Sequence, residues 1–557
     1  MIKVKFLPSG VCTEVEKGTT ILMAARKAGV MIESPCDGIG TCGKCKVKID
    51  KSQLAGISAG EGRHKLSQEE KDEGYVLACQ TVVLGDVEVT VSSTRQQNKT
   101  LKILSDGKNL EYEISPYIRK TFDGQSTIVT AGESLLGEES GDTTNVLYGV
   151  TVDIGTTTLV AALIDMKNGK EMDSVSALNP QSLYAQDVLT RIKFASDEDG
   201  LKTMFDGISG EINAMIGTLC DKCHILKENI YEIIYSGNTT MIHLAAGINP
   251  KSLGKYPYTP VLKGGCTMKA SDIGIDAAPF SIVYFPPIIS AYVGPDITSG
   301  VLVTDLKNEN GTTLLIDIGT NGEMVIARDG ALSSTSTAAG PAFEGMNITF
   351  GMRAGKGAIE YFDIDDLRKV TVKTIGDAKP KGICGSGLFD IVGELVRTGI
   401  ITSNGRFIKR DLLKDDDPLK AHLKDYDGKT AFEVADGVFL TLKDIRQVQL
   451  AKGAVRAGVE ALMLSQEVSA DAVDRVLIAG SFGYHLRSKS LVNIGILPPC
   501  MENKIEFVGN TSKTGGNAFL LHAPYRDYMK SLVSEIHSVE LANIENFDKI
   551  FVKAMSF

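Results

Sequence analysis

Two copies of one short pattern constrain this chain more than any other feature. Val150-Thr151-Val152-Asp153-Ile154-Gly155-Thr156-Thr157-Thr158 runs from an apolar strand into a glycine turn, then into a second apolar strand that ends at a turn, Asn168-Gly169. Leu314-Leu315-Ile316-Asp317-Ile318-Gly319-Thr320-Asn321-Gly322-Glu323 repeats the arrangement and closes at Asp329-Gly330. The two aspartates lie 164 positions apart, which is the spacing of two related halves facing each other and not of a solenoid of short repeats.

The pattern has a chemical logic. Gly155 and Gly319 let the backbone turn tightly and aim N–H groups at phosphate oxygens. Thr156, Thr157, Thr320 and Asn321 add hydroxyl and amide donors. Asp153 and Asp317, facing each other, supply the hard oxygens that a magnesium ion with its waters needs. One of them can orient the water that attacks a γ-phosphate. The pair of turns resembles the ASKHA superfamily of acetate and sugar kinases, Hsp70 and actin. The resemblance implies a two-lobed ATP-binding domain in which the turns hold the phosphates and a later glycine turn holds the adenosine. Val476-Leu477-Ile478-Ala479-Gly480-Ser481-Phe482-Gly483 stands in the expected order for that turn. Gly382-Ile383-Cys384-Gly385-Ser386-Gly387 opens a helix and also suits nucleotide contact, and Glu323 completes the candidate set. Each late glycine turn also reads as a plain strand–helix connection. The chain has neither a G-x4-G-K-[ST] P-loop nor a kinase glycine loop with its companion lysine.

The ten cysteines are unevenly spread. Cys36-Asp37-Gly38-Ile39-Gly40-Thr41-Cys42-Gly43-Lys44-Cys45 gives C-x5-C-x2-C, and Cys79 follows in the same glycine-rich region. Four thiolates can hold zinc or an iron–sulfur cluster. The three glycines favour the cluster, whose sulfides accept hydrogen bonds from a closely wrapped backbone, and only one C-x2-C knuckle is present. The spacing resembles the adrenodoxin-like [2Fe–2S] ferredoxins, which implies a β-grasp fold and a one-electron carrier over roughly the first 93 residues. Within them, residues 2–7 read as a strand, residues 20–28 as a helix closed by Gly29, and residues 45–49 and 87–91 as alternating strands.

At 557 residues the chain is too long for one core. We read residues 1–93 as the ferredoxin-like domain, 94–145 as a polar linker or small connecting subdomain, and 146–557 as the ATPase domain with two related lobes. The fold class is therefore multidomain, α+β followed by α/β. A net charge of −10 argues against a nucleic-acid partner. The N-terminus lacks the apolar core of a signal peptide and no apolar run is long enough to span a bilayer, so a cytoplasmic protein without a membrane partner is expected. Cys220-Asp221-Lys222-Cys223-His224 matches a haem-attachment pattern, but it falls on an apparent helix over 201–223 and is read as accidental. His243 and His485 read as packed or surface residues. The glycine-rich run from Ala339 to Gly357, with Arg353 and Lys356, suits a loop near phosphates or a partner and suits a passive loop equally.

A ferredoxin fused to a nucleotide clamp narrows function more than either part. Downhill electron transfer needs no ATP, whereas each ~59 mV uphill costs about 1.4 kcal/mol per electron. The whole chain resembles the reductive activators of corrinoid-dependent enzymes. The stretches that carry the resemblance are the two Asp-Ile-Gly-Thr turns, residues 339–345, residues 383–388, and Asp444-Ile445-Arg446-Gln447-Val448-Gln449-Leu450-Ala451-Lys452. The resemblance implies that Cys36, Cys42, Cys45 and Cys79 hold a [2Fe–2S] cluster charged by a low-potential electron donor. It further implies Mg-ATP binding, with Mg2+ between Asp153 and Asp317, and reduction of an inactive Co(II) corrinoid protein of a methyltransferase system to Co(I). Homodimerisation is a family expectation. The short connecting segment suggests that a middle domain found in some members is missing here. An activator of another enzyme, of the dehydratase type, and a redox-regulated small-molecule kinase are the alternatives.

Overall fold

The computed structural model describes residues 1–32, 34, 38, 40, 43–59, 66–91, 110–480 and 486–557. They fall into two contact units, Met1–Leu101 with Pro180–Phe194, and Lys102–Asn179 with Ala195–Phe557.

In the first unit, β1 (Ile2–Leu7), β2 (Val11–Val15), β3 (Lys46–Ile49), β4 (Tyr75–Leu77) and β5 (Val87–Val91) form a five-stranded sheet in the order β2-β1-β5-β3-β4. Only β1 and β5 run parallel in it. Helix α1 (Ile21–Lys27) starts where Thr20 accepts a hydrogen bond from the Met23 N–H, and it stops at Gly29, whose φ of +65° suits glycine. Its Ile21, Leu22, Ala24 and Ala25 share a core with Val4, Phe6, Val47 and Val89. A mixed sheet with one helix across it is the β-grasp arrangement.

In the second unit, the stretch read as linker or small connecting subdomain contains β6 (Ile118–Phe122), β7 (Ser126–Ala131) and β8 (Ser134–Ser140), a three-stranded antiparallel sheet. Ile118, Val129 and Ala131 are buried in the core of the lobe that follows. The Lys120 ammonium, almost wholly buried, pairs with Glu139 at 2.6 Å and donates to Tyr231 Oη at 2.8 Å. Strands this short, with β8 largely polar, carry little signal in sequence because one ion pair does much of the anchoring.

Two six-stranded sheets follow. The first is built from β9 (Tyr148–Ile154), β10 (Thr158–Asp165), β11 (Lys170–Leu178), β12 (Ile230–Gly237), β13 (Cys266–Lys269) and β14 (Ile282–Phe285), in the order β11-β10-β9-β12-β14-β13. The second contains β15 (Thr312–Ile318), β16 (Gly322–Arg328) and β17 (Ala331–Thr337). After β18 (Ala358–Ile364), which lies in a separate small sheet, it adds β19 (Arg475–Ala479), β20 (Ile505–Gly509) and β21 (His537–Ser538), in the order β20-β19-β15-β16-β17-β21. In each lobe the first strand pairs antiparallel with the second and parallel with a strand that arrives after a helical crossover. The internal repeat is thus a repeat of topology. Strand β12 is buried along its whole length, as a parallel strand covered on both faces must be.

Six further helices matter below: α2 (Glu198–Cys223), α3 (Thr239–Ala245), α4 (Pro295–Val303), α5 (Gly385–Arg397), α6 (Leu442–Ser465) and α7 (Thr511–Leu521). Helices α4 and α7 cross so closely that a Cβ on Gly515 would lie 2.3 Å from Ser299 Cβ. Helix α6 is capped by Thr441, and its Asp444 closes a capping box while also accepting from the Thr349 N–H. Among the described residues no helix is long and apolar enough to cross a membrane.

Candidate functional site

Asp153 and Asp317 stand at equivalent places, one residue before the ends of β9 and β15. Each strand then enters its glycine turn, where Gly155 N–H donates to Thr158 O (3.0 Å) and Gly319 N–H donates to Asn321 O (2.9 Å). The turns meet: Thr157 Oγ1 and Thr320 Oγ1 are 3.3 Å apart. Thr156 Oγ1 accepts from Asn238 Nδ2 (3.1 Å) at the start of α3, and Asn179 Nδ2 donates to Gly155 O (2.8 Å). On the other side, Thr320 Oγ1 donates to Glu344, and Thr320 O accepts from the Gly340 N–H (2.8 Å). The glycine-rich run therefore begins against the second turn.

Four carboxylates share this place. Asp153 accepts from Asn510 Nδ2 (2.9 Å) and Ser512 Oγ (2.7 Å), both at the start of α7. Burial raises its pKa, while those two bonds and the Lys513 charge oppose the rise. The Asp317 pKa is pushed up to about 7, first by burial and then by the neighbouring Asp153 charge. Asp296, in the first turn of α4, is pushed up to about 8 by burial first and by Asp317 second. Glu323, directly opposite Asp317 in the β15–β16 register, is raised well above the carboxylate range by burial and then by Asp296 and Asp317. A divalent cation would relieve this mutual repulsion. Among the described residues no three Asp, Glu, His or Cys side chains converge closely enough to hold an ion directly. That suits magnesium, which keeps several of its waters.

Sequence reasoning missed Asp296. Gly294-Pro295-Asp296 reads as an ordinary helix start, with proline in the first turn and an acid favoured there. The usable signal was Gly294, where a Cβ would lie 2.5 Å from Gly237 O and from Thr239 N, so the chain passes against the start of α3.

The later glycine turns divide. Gly480, at φ +109°, leaves room for no Cβ, which would lie 2.8 Å from Ile318 O and 2.9 Å from Asp317 Oδ1. It therefore sits on the second turn. Ser481, Gly483 and His485 lie outside the described residues. Gly385 and Ser386 open α5, and their surroundings are those of β18: Cys384 Sγ donates to Ile359 O (3.1 Å), and a Cβ on Gly387 would meet that oxygen at 2.0 Å. His243 is a packed residue of α3, and Cys220 and Cys223 close α2.

In the first unit, Cys45 and Cys79 come together with their sulfurs 3.2 Å apart. The hydrogen bond from Cys45 pulls the Cys79 thiol down to about 7, the direction a metal-binding thiolate needs. Gly38, Gly40 and Gly43 all have left-handed φ (+83°, +90° and +68°), a backbone that side chains other than glycine rarely adopt. Cys36 and Cys42 lie outside the described residues.

Comparison with known proteins covers both units. Residues 4–84 match the 2Fe-2S iron-sulfur cluster binding domain, residues 148–309 the RACo middle region, and residues 311–557 the C-terminal domain of RACo, the ASKHA domain. The middle region that the short connector seemed to exclude is thus present, and it is the first lobe. The chain is 29% identical to the corrinoid activation enzyme RamQ of Eubacterium limosum, over 98% of this chain and 97% of that protein. It is 24% identical to the [Co(II) methylated amine-specific corrinoid protein] reductase of Methanosarcina barkeri, over 74% of this chain and 77% of that one. Among solved structures, a reductive activator for corrinoid, iron-sulfur protein superposes with a TM-score of 0.73 at 31% identity, covering 100% of this chain and 98% of the other.

Proposed function

Because the chain belongs to the family of reductive activators of corrinoid proteins, we propose that it uses ATP hydrolysis to deliver one electron to a partner corrinoid protein of a methyltransferase system, returning inactive Co(II) to Co(I). Cys36, Cys42, Cys45 and Cys79 hold a [2Fe–2S] cluster, which supplies one-electron chemistry when bound. Asp153, Asp317 and Glu323 would hold Mg2+, which would neutralise charge on the phosphates. Thr156, Thr157, Thr320 and Asn321 bind the phosphates, and Gly480, Ser481 and Gly483, with Gly385 and Ser386, complete the nucleotide site. Asp153, tied down by Asn510 and Ser512, would orient the attacking water, and Asp317 would take its proton. The protein works in the cytoplasm with a low-potential donor.

The observation that carries this reading is the meeting of the two turns. Thr157 and Thr320 come within hydrogen-bond reach from different lobes, so one triphosphate bridging them would tie lobe closure to ATP. Closure can then favour a complex in which an uphill electron transfer becomes productive.

The test mixes anaerobic, pre-reduced protein with a cob(II)alamin-loaded corrinoid protein and follows the visible spectrum with and without Mg-ATP. A Co(I) band that appears only with ATP is expected. Its absence with an intact cluster and several partners would sink the reading and bring forward an activator of another enzyme or a kinase.

A further inference from the structure

One stretch of the first lobe has a composition unlike the rest of the chain. The sequence holds 69 acidic against 59 basic residues, yet no Asp or Glu occurs between Glu232 and Asp272. Within that stretch Lys251, Lys255, Lys263 and Lys269 are all exposed. The side chain of Lys530 runs beside the turn at Gly265, 3.5 Å from where a Cβ would stand, and adds a fifth cation. Among these lysines stand apolar groups in water: Tyr256 is 76% exposed, Val261 63% and Tyr258 38%. The rings of Tyr256, Tyr258 and Tyr292 run on from one another at 6.0 and 5.9 Å.

This loop is held in place. Leu253 and Leu262 anchor its ends in the core. Between and beside them, Ser252 Oγ donates to Thr259 O (2.7 Å) and Tyr292 Oη donates to Leu253 O (2.8 Å). His243 Nε2 accepts from the N–H groups of both Val261 and Leu262 (3.1 Å each), so its Nδ1 carries the proton and donates to Thr239 O (2.7 Å). An aromatic group fixed in water loses little freedom when a partner covers it.

The same short helix reaches the nucleotide site. Helix α3 carries His243 at one end, and at the other its cap Asn238 donates to Thr156 Oγ1 of the first phosphate turn. Thr239 Oγ1 donates to Ser290 O, in the loop that leads to Asp296. Seven residues of helix span about 10 Å. One short element therefore touches both the first turn and the aromatic loop.

We propose that this lysine-rimmed aromatic face, residues 251–269 with Tyr292 and Lys530, docks the corrinoid protein through an acidic surface of that partner, and that α3 couples docking to the nucleotide. The inference rests on the corrinoid-activator reading. Aromatic anchors inside a charged rim are the make-up of a protein–protein interface, and the five cations select an acidic partner. Donor and acceptor must both reach the cluster, but in the proposed function the acceptor must also respond to ATP. The nucleotide-linked face therefore suits the acceptor.

The experiment uses the full-length, cluster-loaded protein in three forms: wild type, Tyr256→Ala, and the triple variant Lys251→Glu/Lys255→Glu/Lys263→Glu. Binding to a cob(II)alamin-loaded corrinoid protein is measured by calorimetry at about 50 mM and about 300 mM salt. Cluster absorbance and ATPase activity without partner are recorded alongside. The triple reversal should weaken binding by at least about tenfold and flatten its salt dependence, and Tyr256→Ala should weaken it about tenfold at either salt. Both should keep the wild-type cluster spectrum and partner-free ATPase. Wild-type affinity in both variants, with ATP-dependent Co(I) formation intact in the wild type, would overturn the docking face alone. No Co(I) formation by the wild type would overturn the activator reading, and the docking face with it.

Discussion

The two Asp-Ile-Gly-Thr turns are near copies in sequence and unlike in their surroundings. Asp153 is fixed by Asn510 and Ser512, donors that favour the charged carboxylate. Burial raises the proton affinity of both; for Asp317 the Asp153 charge adds to the rise, whereas for Asp153 those donors and the Lys513 charge oppose it. The glycines differ too. A Cβ on Gly155 would lie 2.6 Å from Thr158 O, whereas on Gly319 its nearest neighbour would be Asn321 O at 3.7 Å. A duplicated motif therefore does not imply duplicated roles: the donors around Asp153 oppose its protonation, whereas the Asp153 charge favours that of Asp317.

The most severe way to break this comparison is to neutralise each aspartate. Asp153→Asn and Asp317→Asn should each lower ATP turnover by about 10² to 10³, but their effects on folding should have opposite signs. Asp317→Asn removes a crowded charge and should raise the stability of nucleotide-free protein by about 1 kcal/mol at pH 8. Asp153→Asn leaves the Asn510 and Ser512 donors poorly matched and should cost about 1–2 kcal/mol. Denaturant melts of both variants, with turnover measured beside them, check this; equal signs would erase the distinction.

The glycines give the next largest effect. Gly155→Ala should destabilise the ATPase unit by about 2 kcal/mol, because the obstructing atom is backbone and cannot move aside. Gly319→Ala should stay within about 0.5 kcal/mol. Melting curves of the two variants should part clearly, and a Gly155→Ala melt that overlays the wild type would refute the steric argument.

Proton linkage sharpens the contrast further. An acid whose folded pKa lies above its unfolded value of about 4 binds more protons when folded, so stability falls as pH rises through that interval. For Asp317 the loss runs from about pH 4 to about pH 7 and then levels off. Asp296 extends it to about pH 8. The melting temperature of nucleotide-free protein should therefore drop by several degrees between pH 5 and pH 8, and Asp317→Asn should flatten the lower part of that slope. Least of all, Thr157→Val should raise the KM for ATP only a few-fold, because Thr320 keeps its own partner in Glu344.

Much of this was legible in the sequence because it is carried by local pattern. The strand–turn–strand repeat located both aspartates, and glycine spacing located the left-handed turns at Gly38, Gly40 and Gly43 that precede Cys45. What escaped depends on contacts between distant residues. Asp296 joins the carboxylates only because α4 folds back against α3, and β6–β8 hold their place through Lys120 and Tyr231. The bonds that distinguish Asp153 from Asp317 come from Asn510 and Ser512, more than 350 positions after Asp153. No local pattern announces a partner so remote.

The crossing of α4 and α7 at Ser299 and Gly515 acts as a fulcrum. Two rods that touch almost backbone to backbone at one point can turn about it like scissor blades, but they cannot slide without collision. Each blade carries site groups at its tip, Asp296 on α4 and Asn510 with Ser512 on α7. Any turn about the fulcrum would therefore move Asp296 relative to the donors that hold Asp153.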